Sequence, residues 1–378
     1  MAIAARLFFP VVLCAMSGCP HTPRALVGCG VSQPAAGVAD PAGLTLQLDY
    51  SGAEALVAAL ERDSLDGAQV DSLLRVRGVR AMVDNVTRFV PGLGVPQFRS
   101  EIEKFVRRKR SGDYPAFQLA DAWRERSRIG DMTNAIRTNE AGIRHEVLSL
   151  LERYRPDTGP LAIAVYFVAG GVSDGFVFEN DPAFYINLAR AGGDCREVAL
   201  NIAHEAYHVL QTAAQRRSGT LTSWVTDTTT SPVDRVLAGT LLEGTANFVA
   251  DPARLAADSS SLRSARDRFR RNAEPERIAE NFAVFDAVVR GLREGTLSWQ
   301  EASARGFMNS PRDETRFYFV GYEMAQAIER YCGPECIGKL FGRPPVEFFR
   351  QYIALYRAHP EIRWHFAPMT MTFILSEM

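Results

Sequence analysis

Histidine is scarce in this chain, with six in 378 residues, and several other signals are missing altogether. Charge of one sign is one of them. The 43 Lys and Arg nearly balance the 44 Asp and Glu, so the formal net charge of −1 supplies no global attraction to nucleic acid or to an anionic membrane. No apolar run after the first twenty residues is long enough for a membrane-spanning helix. There is no glycine loop of the kind that cradles phosphate, no internal repeat, and no Cys–His pairing that would indicate a thiol protease. What is present is the composition of an ordinary folded protein, 47% hydrophobic and 23% charged, long enough for one large or two small domains.

Two of the few histidines stand four apart in His204-Glu205-Ala206-Tyr207-His208, an HExxH pattern. On a helix, positions i and i+4 share a face, so both imidazoles can hold one zinc ion. The glutamate after the first histidine is then placed to act as general base on a zinc-activated water. The flanking stretch Glu197–Thr212 reads as a helix, with Val198, Ile202, Val209 and Leu210 apolar and no Gly or Pro to interrupt it. The bland alternative is a His-Glu-His face that only packs or hydrogen-bonds.

Catalytic zinc takes three protein ligands and keeps one position open. The metzincin extension HExxHxxGxxH is absent, because Gln211 and Ala214 stand where its Gly and His would be. A carboxylate is the remaining source. Val236–Asp251 reads as a second helix with Leu241, Leu242, Ala246, Val249 and Ala250 as its apolar body, and Glu243 lies within it. An isolated buried carboxylate is costly, so Glu243 needs a partner, and the small residues Gly244, Thr245 and Ala246 allow a second helix to come close. Asp227, Asp234 and Asp251 are weaker rivals; a surface glutamate beside a flexible glycine is the non-functional reading. Further on, Phe317–Tyr331 reads as an apolar helix in which Tyr318 and Tyr322 stand one turn apart. Either phenol can donate a hydrogen bond to an oxyanion, with packing against Phe317 and Phe319 as the competing role.

HEAYH followed by EGTA resembles the gluzincin branch of the zincin metallopeptidases. Within that branch the chain is similar to little-characterised bacterial families of zinc-dependent peptidases, of the domain-of-unknown-function kind. Phe317–Ala325 (FYFVGYEMA) is similar to the YxxGYxxA stretch that such families carry after their glutamate helix. The resemblance implies His204, His208 and Glu243 as ligands of one zinc per chain and Glu205 as the base. It further implies hydrolysis of amide bonds in a peptide or protein substrate. One position departs from it. Many gluzincins carry an acidic residue four positions after the glutamate ligand, orienting the first histidine; here that position is Asn247, whose oxygen can accept from an imidazole N–H but brings no full charge. The departure leaves room for an alternative, a catalytically weak or inactive zincin-fold lipoprotein that acts in binding or assembly.

The first residues read as a targeting segment. Met1–Arg6 carries one positive side chain, Leu7–Met16 is a short apolar core, and Met16-Ser17-Gly18-Cys19 resembles a lipobox with Met in place of the usual Leu. The expectation is a lipoprotein signal peptide over 1–18, lipidation at Cys19 and a flexible tether over 19–43. The protein is then exported and touches the membrane only through its lipid anchor, in the periplasm or at the cell surface; secretion as a soluble protein is the alternative. In an oxidising compartment Cys332-Gly333-Pro334-Glu335-Cys336 reads as a local disulfide.

Residues 44–155 read as a helical N-terminal region, with helical spacing in Ala53–Arg62, Asp71–Asn85 and Gly142–Arg155. Residues 156–378 read as the catalytic region, opening with strands at Leu161–Ala169, Gly175–Phe178 and Ala183–Leu188. The expected fold is α+β, mostly helical and zincin-like, with a small β-sheet before the HExxH helix. Ala183–Leu188 is expected as an edge strand against which an extended peptide could pair.

Overall fold

The structure is a computed structural model that describes residues 43–109, 112–178, 181–191, 194–220, 229–255, 262–308 and 315–376. The expected signal segment, Cys19 and the tether lie outside the described residues. The fold is α+β and mostly helical, with one small sheet ahead of the HExxH helix. The chain divides into two compact units, one built mainly from 46–143 and 162–198 and the other mainly from 144–161 and the residues from 199 onward.

The first unit holds the sheet. Its strands are β1 (Leu44–Asp49), β2 (Leu161–Val168), β3 (Gly175–Val177) and β4 (Ala183–Asn187), in the order β1-β2-β4-β3. The β2/β4 pair is parallel, with Tyr166 opposite Tyr185, and β3/β4 is antiparallel, with Phe176 opposite Tyr185. The order corrects one expectation. Ala183–Leu188 is not an edge: β4 is paired on both sides and all five of its residues are buried. Its AFYIN run has no polar alternation, which is the pattern of a strand covered on both faces. The β1 strand falls inside the region read as helical, and its period-2 burial, with Leu44 and Leu46 buried and Thr45 and Gln47 exposed, is the signal for it. Between β2 and β3 the chain turns at Gly170 and Gly171, with φ of 111° and 80°, a region that side chains disfavour. The buried amide of Asn187 fixes this turn, donating to the carbonyls of Gly170 and Ser173 and accepting from the Gly170 N–H.

Helices α1 (Ser51–Leu60), α2 (Gly67–Arg75), α3 (Arg77–Phe89), α4 (Val95–Arg108), α5 (Leu119–Arg124) and α6 (Arg126–Thr138) complete this unit, and α7 (Glu140–Arg153) follows. The single helix expected over Asp71–Asn85 is broken at Val76, whose backbone is extended. The buried residues Val70, Leu73 and Leu74 precede the break, and Val79, Met82, Val83 and Val86 follow it. At about 100° per residue, one straight helix would point those two sets in opposite directions. The break lets both face the core.

The second unit is helical: α8 (Cys195–Ser218, whose first turn belongs to the first unit), α9 (Pro232–Val249), α10 (Arg263–Asn272), α11 (Pro275–Arg293), α12 (Trp299–Gly306), α13 (Arg316–Cys332), α14 (Pro334–Lys339), α15 (Val346–Ala358) and α16 (Pro368–Ser376). The start of α9 is dictated locally. Pro232 sits in its first turn, and the Ser231 hydroxyl accepts from the Asp234 N–H as an N-cap. Almost every residue of α9 is buried, and its closest neighbour is α13. The two helices touch backbone to backbone: a Cβ on Gly244 would fall 2.3 Å from the Cα of Gly321, and one on Gly321 would fall 2.2 Å from the carbonyl oxygen of Thr240. No helix among the described residues is long and apolar enough to cross a membrane.

Candidate metal centre

Helix α8 presents His204 and His208 one turn apart, and α9 presents Glu243 to them. The two Nε2 atoms lie 3.1 Å apart, and each is 3.4 Å from Glu243 Oε2. Zinc–ligand bonds of about 2.0–2.1 Å at a tetrahedral angle require ligand–ligand edges of roughly 3.3 Å, so the triangle has the size of one face of such a site. Glu243 Oε2 is buried and has no hydrogen-bond partner, which leaves its lone pairs to the space between the three groups. The imidazoles retain 11% and 17% side-chain exposure, so the cluster is not sealed from solvent. The residues present therefore fit a zinc ion.

Electrostatics agree with three donors awaiting a cation. Burial alone would raise the pKa of Glu243, but His208 and His204 outweigh it and hold the carboxylate well below its usual range. Burial works against a charge on His208, and the Glu243 carboxylate overrides it, lifting this imidazole to about 9. His204 is shifted down, first by burial and then by the charge on His208. Glu205, next to His204, is 1% exposed and neither carboxylate oxygen has a hydrogen-bond partner. Burial pushes its pKa up to about 8. A buried carboxyl without a partner is costly to ionise, which singles out Glu205 as a candidate functional group.

Over residues 70–361 the sequence matches the family described as “Putative zinc dependent peptidase (DUF5700)”. The chain belongs to this family. No curated protein and no solved structure matches it. The matched span contains α8, α9 and α13, and with them every donor of the cluster. For this zinc-dependent peptidase family the His-His-Glu set is a donor set that zinc accepts, and His204, His208 and Glu243 form the metal-competent group found among the described residues.

The other expected residues fall in different places. Asp251 accepts a hydrogen bond from Tyr322 at 2.6 Å and caps the short turn after α9, while Asp234 is engaged with Ser231 at the exposed start of that helix. Asp227 lies outside the described residues. Because its phenol is given to Asp251, Tyr322 is committed to structure. Tyr318, one turn earlier on α13, lies parallel to the His204 ring at 6.4 Å between centroids. Asn247 is buried, and among the described residues no hydrogen bond joins it to either imidazole. The imidazole that is anchored is His208, and the anchor is Gln211, at 2.7 Å from its Nδ1. In the sequence Gln211 was visible only as a departure from the metzincin pattern. Its spacing of i+3 from a ligand histidine is the signal that identifies it. A disulfide joins Cys332 and Cys336 at the end of α13, and Cys195 at the start of α8 is disulfide-bonded as well.

Proposed function

We propose that this chain is an exported zinc metallopeptidase of the gluzincin type that hydrolyses peptide bonds in a peptide or protein substrate. The observation that carries the reading is the convergence of His204, His208 and Glu243 beside the partnerless carboxylate of Glu205. His204, His208 and Glu243 would hold the zinc, which would supply Lewis acidity toward a water and a substrate carbonyl. Glu205 accepts the proton of the attacking water on its carboxylate and returns it to the leaving amine nitrogen as the C–N bond breaks. The phenol of Tyr318 donates to the carbonyl oxygen as negative charge develops there. The lipobox-like Met16–Cys19 segment and the disulfide between Cys332 and Cys336 support an exported protein, held to the periplasmic or outer face of a membrane by lipid on Cys19. The absence of an acidic residue at Asn247 favours a second reading, a zinc-binding lipoprotein with little turnover that acts in binding or assembly.

Elemental mass spectrometry of the purified chain, beside Glu243→Ala and Glu205→Gln, tests the assignment. About one zinc per chain is expected in the wild type and in Glu205→Gln, with zinc lost or much weakened in Glu243→Ala. On a peptide library the wild type should cleave and Glu205→Gln should fall by about 10²–10⁴-fold. A wild type without zinc would end the metal reading. Zinc with no cleavage would replace the peptidase with the binding lipoprotein, and cleavage undiminished in Glu205→Gln would overturn the zincin mechanism with Glu205 as its base.

A further inference from the structure

Gln211 belongs to neither the ligand set nor the base, yet it is fully buried and its side chain is completely engaged. Its Nε2 donates to the carbonyl of Leu242 and to the hydroxyl of Thr245, each at 2.9 Å. The Thr245 hydroxyl cannot compete for that donor as an alternative donor itself, because its own proton goes to the Leu241 carbonyl at 2.7 Å. These contacts fix which end of the amide is which. The Oε1 end therefore faces His208 Nδ1 at 2.7 Å, and an amide oxygen can only accept. His208 must therefore carry a proton on Nδ1, so that in the neutral form that binds a metal it is Nε2 whose lone pair faces His204 and Glu243.

From this arrangement we infer that Gln211 is a positioning residue for the metal site: it sets the tautomer and ring orientation of His208 and ties them to the register of the glutamate helix. The two groups on α9 that hold it, Leu242 and Thr245, bracket Glu243. One side chain thereby couples the donors contributed by two helices. A carboxylate or carbonyl commonly plays the outer-sphere role at metal-bound histidines, orienting the ring through its other nitrogen. Here an amide does so, and it is itself oriented by the neighbouring ligand helix. The inference rests on the zinc reading above, and its test separates the two.

The test uses the full chain as wild type, Gln211→Met, Thr245→Val and the double variant. Zinc affinity is measured by competition with a chelating dye, and the ring proton on Nδ1 of His208 is followed by NMR of ¹⁵N-histidine-labelled protein. Gln211→Met should weaken zinc by about 10–100-fold, the range typical for outer-sphere partners, and Thr245→Val should weaken it less. Because Thr245 acts through Gln211, the double variant should be no weaker than Gln211→Met alone. The Nδ1 proton should exchange slowly with solvent in the wild type, with or without zinc, and rapidly in Gln211→Met. Wild-type affinity in Gln211→Met, or losses that add in full in the double variant, would overturn the inference while leaving the zinc site standing. A wild type that binds no zinc would sink the zinc reading instead. The exchange measurement would then decide the tautomer by itself, with an unprotected Nδ1 proton in wild type counting against Gln211.

Discussion

Glu205 and Tyr322 are both buried polar side chains on helices of the second unit, and they differ in whether a partner is present. Tyr322 gives its hydroxyl to Asp251 at 2.6 Å, and its pKa is driven up first by burial and then by that carboxylate. Glu205 has no partner on either oxygen. A buried carboxyl without a partner calls for an explanation, and beside His204 that explanation is a reactant or ligand. The two tyrosines expected from sequence as oxyanion donors stand differently: Tyr322 gives its hydroxyl to Asp251, and Tyr318 lies parallel to the His204 ring. Tyr318→Phe should lower kcat by about 10²–10³-fold, the loss typical of one oxyanion donor, with KM and Tm nearly unchanged. Tyr322→Phe should leave the rate per folded molecule intact and cost about 1–3 kcal/mol of stability, since it strands the Asp251 carboxylate. Thermal melts and steady-state kinetics on the two variants check this; the reverse assignment would require the kinetic loss to appear in Tyr322→Phe. At this scale the three candidate donors were legible because a metal demands particular residue types at fixed helical spacing. Gln211 was hidden because a glutamine has no unique role until its neighbours in space are known.

At the scale of elements, the Glu243 helix is positioned by contact with α13. The glycines at 244 and 321 are what permit this, and they account physically for the EGTA and YxxGYxxA stretches lying far apart in sequence. Adding one methyl to either would drive the helices apart. Gly244→Ala and Gly321→Ala should each destabilise by about 1–3 kcal/mol, the usual cost of overpacking, and weaken zinc as Glu243 is displaced from His204 and His208. Denaturant midpoints together with zinc titration would show it; a variant that melts like wild type would mean the backbones are not in contact. Most helices could be read from their apolar period. The break at Val76 could not be placed from propensity, although the reversal of apolar faces on either side of it was written in the sequence. The interior position of β4 likewise depends on pairing partners that no strand carries in its own residues, whereas the alternating leucines of β1 were a local signal.

For the second unit as a whole, Glu329 joins segments distant in sequence. It accepts from the Tyr154 hydroxyl at 2.6 Å and from Arg254 at 3.2 Å, and Tyr154 also takes a hydrogen bond from Arg254. Burial works to raise the Glu329 pKa, but the Tyr154 hydrogen bond and the Arg254 guanidinium outweigh it, and the net shift is downward. A carboxyl whose folded pKa is depressed adds stability that is fully present above its unfolded value and is lost as pH falls through the folded one. Wild-type Tm should thus drop, as pH falls below the ordinary glutamate value of about 4.3, by more than that of Glu329→Gln. Parallel slopes in the two proteins would show that Glu329 is not among the groups responsible. Long-range ties of this kind set how the unit coheres, and they leave no mark in local periodicity. The glycine crossing has a consequence for descent as well. With less than a methyl group of room between the backbones, neither position 244 nor position 321 can accept a side chain while the other compensates, since a glycine has nothing further to give up. The two sites, 77 residues apart in sequence, should therefore be inherited as a single character.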